Sequence, residues 1–470
     1  MRENTYDVIA VGSGFATSFF LHELLKRAPQ QHRILVLERG PNTPHAQRLV
    51  ERRSFVNESP VGKQWIFSFG VGGSSQCWWA NTPRMLPADF ELRSRYGVGV
   101  DWPVTYDELE PFYSEAEELM QVSGPDDGSP FPRSRPYPQP PHRFSEPDLR
   151  LKRAYPDAFF VVPTARPSRN VSGGRPACCG SSVCELCPID SKFTIQNGLY
   201  HVYEDPRVEL IAGARVDRVL TRGATATGVE FEQDGRVSRA EGDLMVLGAN
   251  AIFNPFLLLR SGLEGPEVGT GLCEQVSDQY LVLLDGLDNF QGSTSITGHG
   301  YRYYDGAHRA HRAGVLLETF NRPELREERG KWLQLLRVKA IFEDLRQPQN
   351  HVGIDADDPV RPRAVFARHS EYAERSRQRM LQRELVEFLS PLPVEGIRRI
   401  DQRSSTESHI MGTTVMGTDP ATSVVDRLGV HHRVRNLVVL GSSTFPTAAP
   451  ANPTLTLCAL SLWSARRLLG

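Results

Sequence analysis

The opening of the chain constrains its fold more than any other stretch. Val8 to Val11 is a short apolar run, Gly12 and Gly14 follow, and Phe15, Phe19, Phe20, Leu24 and Leu25 then recur at helical spacing. Ile34 to Leu37 is a second apolar run, closed by Glu38. Strand, glycine turn, helix and strand in that order imply a parallel sheet. The glycines carry chemistry as well as geometry. Gly12 allows a tight turn, and Gly14 lets a pyrophosphate approach the backbone. The helix start at Phe15 and Ala16 offers unpaired N–H groups and a positive dipole end to phosphates. Glu38, with Arg39 beside it, stands where a ribose diol would be held. Thr17 takes the place of a third glycine, and a small residue is tolerable there. The alternative is the same tight turn with no ligand. The unit reads as a dinucleotide site, and nothing in it alone separates FAD from NAD.

A chain of 470 residues predicts two or three domains, or two interleaved ones. A net charge of −2 gives no global field to attract nucleic acid or anionic lipid. Basic residues between Glu371 and Glu387 alternate with acids and read as a solvated helix face. "MRENTY" runs straight into the first strand with no signal-peptide pattern, so the cytoplasm is the expected compartment, with co-export to the periplasm alongside a signal-bearing partner as the other option. No apolar run is long enough for a spanning helix. Residues 125 to 150 are rich in proline and read as a loop or crossover. Strand-like runs follow at Val208 to Ile211, Gly228 to Phe231 and "LMVLGAN". From 276 to 355 the alternation, as in "YLVLLD" and "LLRVKAIFEDL", predicts an antiparallel sheet of a second domain. A charged helix over 368–389, a buried strand at "NLVVLGSS" and a closing amphipathic helix at "NPTLTLCALSLWSARRLL" complete the chain.

Four later motifs decide between cofactors: "GVGGSSQCWWANTPR" (70–84), "YGVGVDWPVTYDELEPFYSEAEELMQVSG" (96–124), "HIMGTTVMG" (409–417) and "FPTAAPANPTLTL" (445–457). Together they resemble the glucose–methanol–choline (GMC) oxidoreductases, which use FAD to oxidise alcohols. The resemblance covers roughly 7–260 and 405–468; the middle, 270–400, matches only in outline. The nearest likeness is to FAD subunits of bacterial glucose, gluconate, sorbitol and fructose dehydrogenases. The resemblance implies that His409 accepts the hydroxyl proton, or stabilises the developing alkoxide as an imidazolium, and that Asn452 holds the substrate oxygen. The alternative for Asn452 is a cap on the helix beginning near Pro453 and Thr454. Gly72, Gly73 and Ser74 match the loop passing the flavin ring, and Val216 the position whose backbone meets the adenine. Gly441 and Ser442 stand where the family approaches the pyrophosphate, although the usual Asp-Gly-Ser reads Gly441-Ser442-Ser443 here. Cys77 replaces a histidine that in some members bonds covalently to the flavin. A histidyl link is therefore out, and a buried unreactive thiol is expected rather than a cysteinyl link. Adjacent His431 and His432 read as surface residues.

Four of the seven cysteines, Cys178, Cys179, Cys184 and Cys187, fall in "PACCGSSVCELCPID". A disulfide between neighbours would be strained. A zinc site usually pairs its cysteines across a longer gap, and clustered thiolates also suit an iron–sulfur cluster. The resemblance implies a 3Fe-4S cluster on Cys178, Cys184 and Cys187, with Cys179 a neighbour. The spacing departs from the family's, since only Glu185 and Leu186 separate the last two.

The expected architecture is α/β, with an α+β substrate part. A Rossmann-type FAD domain is assembled from discontinuous segments, beside a substrate domain with an antiparallel sheet. The expected division is 1–105, 171–265 and 404–470 for the FAD domain, the middle piece including the cysteine loop, with 106–170 and 266–403 for the substrate domain. The expected activity is oxidation of an alcohol on a sugar, glycoside or polyol. Electrons pass through the cluster to an external acceptor, such as a cytochrome-like partner, and a small accessory subunit is a further expected partner. The rivals are a cluster-free oxidase using oxygen and a non-catalytic flavin-binding electron carrier.

Overall fold

The computed structural model describes residues 5–51, 65–126, 128–172, 174–400 and 406–470. The expected division at 403/404 lies outside the described residues. Two sheets organise the molecule. The first has seven strands, and its centre is Thr5–Val11. On one side lie Ile34–Glu38 and then Val208–Ala212, both parallel to it. On the other lies Arg236–Leu247, also parallel. That long strand has two partners along its length. Arg236 to Glu241 pairs antiparallel with Thr225–Gln233, which pairs in turn with Arg215–Arg222. Met245 to Leu247 pairs parallel with Leu437–Val439. The sheet thus joins three distant parts of the chain, in the discontinuous manner expected.

The central strands are apolar along their whole length because both faces are covered. Ile9, Val36 and Val246 are fully buried. Helix Phe15–Arg27 packs against helix Thr454–Leu468, which also lies against helix Tyr106–Met120. Arg466 ties the three together: its guanidinium donates to Glu23 and to Glu115. The closing helix is not amphipathic as expected. Every residue from Leu455 to Ala465 except Leu457 is buried, since the helix runs between other helices.

The second sheet has six strands, all antiparallel: Val394–Arg399, Val276–Leu284, Leu335–Phe342, Val315–Phe320, Ile296–Gly300 and Phe159–Val161, in that spatial order. The antiparallel alternation over 276–355 is realised here. The charged segment over 368–389 becomes Glu371–Arg379, a wider turn at Met380–Glu384 and Leu385–Leu389; Tyr372, Ala373 and Phe388 form its buried side. His431 is also corrected. It is buried, and its Nδ1 accepts from the backbone N–H groups of Arg433 and Val434, so it organises a turn rather than meeting solvent.

The departure at Thr17 has a structural counterpart. Thr17 is fully buried, and a Cβ added at Gly248 would overlap its Oγ1. The room a third glycine would leave on the helix is supplied instead by a glycine at the end of a neighbouring strand. Gly248→Ala is expected to destabilise the protein by about 1–3 kcal/mol through overpacking. Thr17→Gly in the same chain should recover most of that loss, read as the denaturant midpoint of the single and double variants.

Candidate functional site

A single cavity of about 450 Å³ runs from the opening glycine turn to the six-stranded sheet. The end beside the glycine turn is built from backbone. Gly12 has φ +87°, and a Cβ there would come within 2.8 Å of the Gly248 carbonyl oxygen, so only glycine fits. Gly14 precedes helix Phe15–Arg27 and no side chain caps its first turn, which leaves N–H groups to the cavity. A Cβ at Gly14 would meet nothing within 4 Å; it would project into open space that a phosphate can fill. Phe15, Ala16, Arg39, Val216, Gly441, Ser442, Pro453 and Thr454 line the same cavity.

Glu38 does more than the sequence expects. Its Oε2 accepts from Ser13 N–H at 3.0 Å and Ser13 O–H at 2.7 Å. Its Oε1 accepts from Gly40 N–H at 2.9 Å and Gly70 N–H at 3.1 Å. All four acceptor positions of the carboxylate are therefore engaged by the protein, and a ribose would have to share them. Gly72 does not line the cavity; its N–H donates to Ser13 Oγ at 3.1 Å and anchors the turn Gly73–Gln76. Gly73, Ser74 and Cys77 on that turn do line it. Burial pushes the Cys77 thiol up to about 11, so it is held as a protonated, unreactive group.

The other end of the cavity holds side chains. His409 Nδ1 lies 2.5 Å from Gln275 Oε1. The ring sits deep in the protein and keeps part of its surface open to the cavity. Burial lowers its pKa to about 4, with Glu407 and Glu318 opposing and Lys339 assisting. Asn452 lines the same cavity, and its buried Oδ1 has no hydrogen-bond partner among the described residues. It does not cap the helix after it, and the unmet acceptor fits a ligand that brings a donor. These orphaned groups at both ends, polar at one and backbone at the other, fit a long dinucleotide with a reactive ring.

The sequence reading missed the far wall. Asn81 Nδ2 donates to Glu318 Oε1 at 2.9 Å, and His299 Nε2 lies 3.1 Å from the same oxygen. Lys339 Nζ is 2.9 Å from Glu407 and 3.9 Å from Glu318. Burial works against the charge on Glu318, but His299, Lys339 and His409 outweigh it and hold the carboxyl at about 2. The signal was present: Glu318 and Lys339 are ionisable residues inside otherwise buried strands.

The cysteine loop lends the expected cluster no support. All four thiols are free, and among the described residues no three His, Cys, Asp or Glu donors are placed to hold a metal ion. Cys178 Sγ meets Thr294 Oγ1 at 3.5 Å, Cys184 Sγ meets Ser295 Oγ at 3.1 Å, and Cys187 Sγ accepts from Ser191 N–H at 3.2 Å. Cys179 is exposed. Three of the sulfurs thus each meet a different protein group, and the expected 3Fe-4S ligand set finds no support here.

A Rossmann-type turn, a second antiparallel sheet and a cavity between them define a flavin-dependent oxidoreductase fold. Two matches to the GMC oxidoreductase family, at residues 162–277 and 346–461, make the family explicit. The chain belongs to the GMC oxidoreductases and is an FAD-dependent, alcohol-oxidising enzyme. It is 28% identical to the fructose dehydrogenase large subunit of Gluconobacter japonicus, across 99% of this chain and 98% of that one. It is 28% identical to the 6'''-hydroxyparomomycin C oxidase of Streptomyces lividus, across 99% and 92%. The crystal structure of pyridoxine 4-oxidase from Mesorbium loti superposes with a TM-score of 0.69 at 17% identity, across 98% and 99%.

Glu38→Gln places an NH₂ group against N–H donors in a buried knot. It is expected to cost about 1–3 kcal/mol of stability and to weaken FAD binding at least about tenfold. Denaturant midpoints of the apoprotein and an FAD fluorescence titration read the two effects separately.

Proposed function

We propose that this enzyme oxidises a hydroxyl of a sugar, glycoside or polyol, with His409 as the base. One observation carries the reading: an imidazole anchored through Nδ1 and a carboxamide with an unmet oxygen open onto the cavity that begins at the glycine turn. FAD, when bound, supplies the hydride acceptor. His409 Nε2 would accept the hydroxyl proton of the alcohol, and the carbon-bound hydride would be left for the bound cofactor to take up as the carbonyl forms. Asn452 would donate through Nδ2 to the substrate oxygen, and its Oδ1 would take a further donor of the ligand, so that the alcohol is held in one orientation. The wall of Asn81, Glu318, Lys339 and Glu407 offers donors and acceptors to further hydroxyls, which suits a polyhydroxylated substrate. Relatives named for fructose and for 6'''-hydroxyparomomycin C support that class.

The electrons leave to an external acceptor other than oxygen, borne by a partner protein. A match along nearly the whole of a dehydrogenase large subunit supports this.

His409→Ala is expected to retain FAD and to lose flavin bleaching by anaerobic sugars and polyols by about a hundredfold or more. Bleaching at the wild-type rate would remove His409 from the reaction. A neutral imidazole accepts the proton, so the rate should be level at neutral pH and fall as pH drops through about 4. Turnover should reduce an artificial dye and release no peroxide; stoichiometric peroxide would identify an oxidase.

A further inference from the structure

One side chain holds the imidazole of His409, and it holds more than the imidazole. Gln275 is fully buried, immediately before strand Val276–Leu284. Its Oε1 faces His409 Nδ1 at 2.5 Å. Its Nε2 donates to the carbonyl oxygens of Ala449 and, at 2.8 Å, of Ala451. Both amide hydrogens are thereby spent on backbone carbonyls. The reversed amide would press its oxygen against two carbonyl oxygens, so the orientation is fixed by the network. An amide oxygen can only accept. Nδ1 must then carry a hydrogen, and in the neutral ring the lone pair sits on Nε2.

We propose that Gln275 is a positioning residue for the alcohol oxidation: it selects the Nδ1–H tautomer of His409 and ties that ring to the backbone leading into Asn452. The proposal rests on the reading of His409 as the base. Ala449 and Ala451 are buried and lie just before Asn452, so one amide sets the placement of both groups that meet the substrate oxygen. The charged neighbours of the ring are Glu407, Lys339 and Glu318. Lys339 is paired with Glu407, and Glu318 is engaged by Asn81 and His299, so the tautomer is left to Gln275. A neutral amide orients the ring without adding a charge that would favour the imidazolium.

Two variants and one spectrum test this. Gln275→Leu removes the acceptor and should slow flavin reduction by about tenfold or more, with FAD content unchanged and substrate affinity changed by less than about threefold. Gln275→Glu places a carboxylate on Nδ1, which favours the charged ring and raises its pKa. Activity needs the neutral ring, so the acid limb of the rate should move to higher pH by about one unit or more. Above that limb Gln275→Glu should be faster than Gln275→Leu. NMR of the wild-type holoenzyme carrying heavy-nitrogen histidine, with the His409 signal identified by its absence in His409→Gln, should show the hydrogen on Nδ1. A hydrogen on Nε2 overturns the proposal even if the variants fail to fold. So does Gln275→Leu at the wild-type rate, or an unmoved acid limb in Gln275→Glu. If His409→Ala is inactive while Gln275→Leu is unimpaired, only the positioning role falls. If His409→Ala reduces flavin normally, the base reading falls and this inference with it.

Discussion

The carboxylate of Glu38 is the point on which the nucleotide end depends. It ends a central strand, is almost wholly buried, and gathers four donors from Ser13, Gly40 and Gly70. Those residues belong to the glycine turn, the exit of the second strand and the approach to the loop that passes the cavity. A buried carboxylate is costly unless its acceptor positions are filled, and here the filling is done by chain segments that must lie together to form the site. Ser13 extends the knot, since its hydroxyl also accepts from Gly72 N–H. The turn Gly73–Gln76 is then pressed so close to the glycine turn that a Cβ at Gly73 would sit 3.1 Å from Gly14 Cα.

The end of the cavity that holds His409 and Asn452 is reached by a different device. The segment after His409 runs as a ladder between the two sheets. Met411 exchanges backbone hydrogen bonds with Cys273. Gly412, Thr414 and Met416 donate to the carbonyls of Ser442, Ser443 and Thr444. The ladder therefore fixes His409 against the start of one sheet and against the exit of the strand Leu437–Val439 in the other. Asn452 follows that exit and leads into the buried closing helix. Two groups distant in sequence thus meet the same cavity because backbone, not loop flexibility, carries both.

Much of this was legible in the residues. The apolar runs around Gly12 and Gly14 fixed the first sheet's centre, and alternation over 276–355 fixed the second sheet's type. His409 and Asn452 stood out through their motifs. What stayed hidden was relational. Gly248 makes room for Thr17, and no local pattern links the two. Glu318 and Lys339 show as ionisable residues in buried strands, but only the sheet shows that both reach the cavity wall. The crowding of the cysteines pointed to shared ligation, yet Thr294, Ser295 and Ser191 each engage a different sulfur. Spacing along the chain cannot show which way thiols turn.

The wall of charge around His409 resolves an apparent conflict. On the proposed reading of His409 as the base, burial holds the ring neutral, which readies it to accept a proton but also makes it a reluctant base. The remedy must act only once the proton arrives. Glu318 and Glu407 favour a charged ring, while Lys339 disfavours it. Glu318 remains ionised despite its burial, so this field is in place before the reaction begins. A fixed field of this kind does little for a neutral imidazole and much for an imidazolium, so its stabilisation grows as the proton moves. The buried acids in the strand of the second sheet and beside His409 thereby complete a site whose orienting groups are neutral amides.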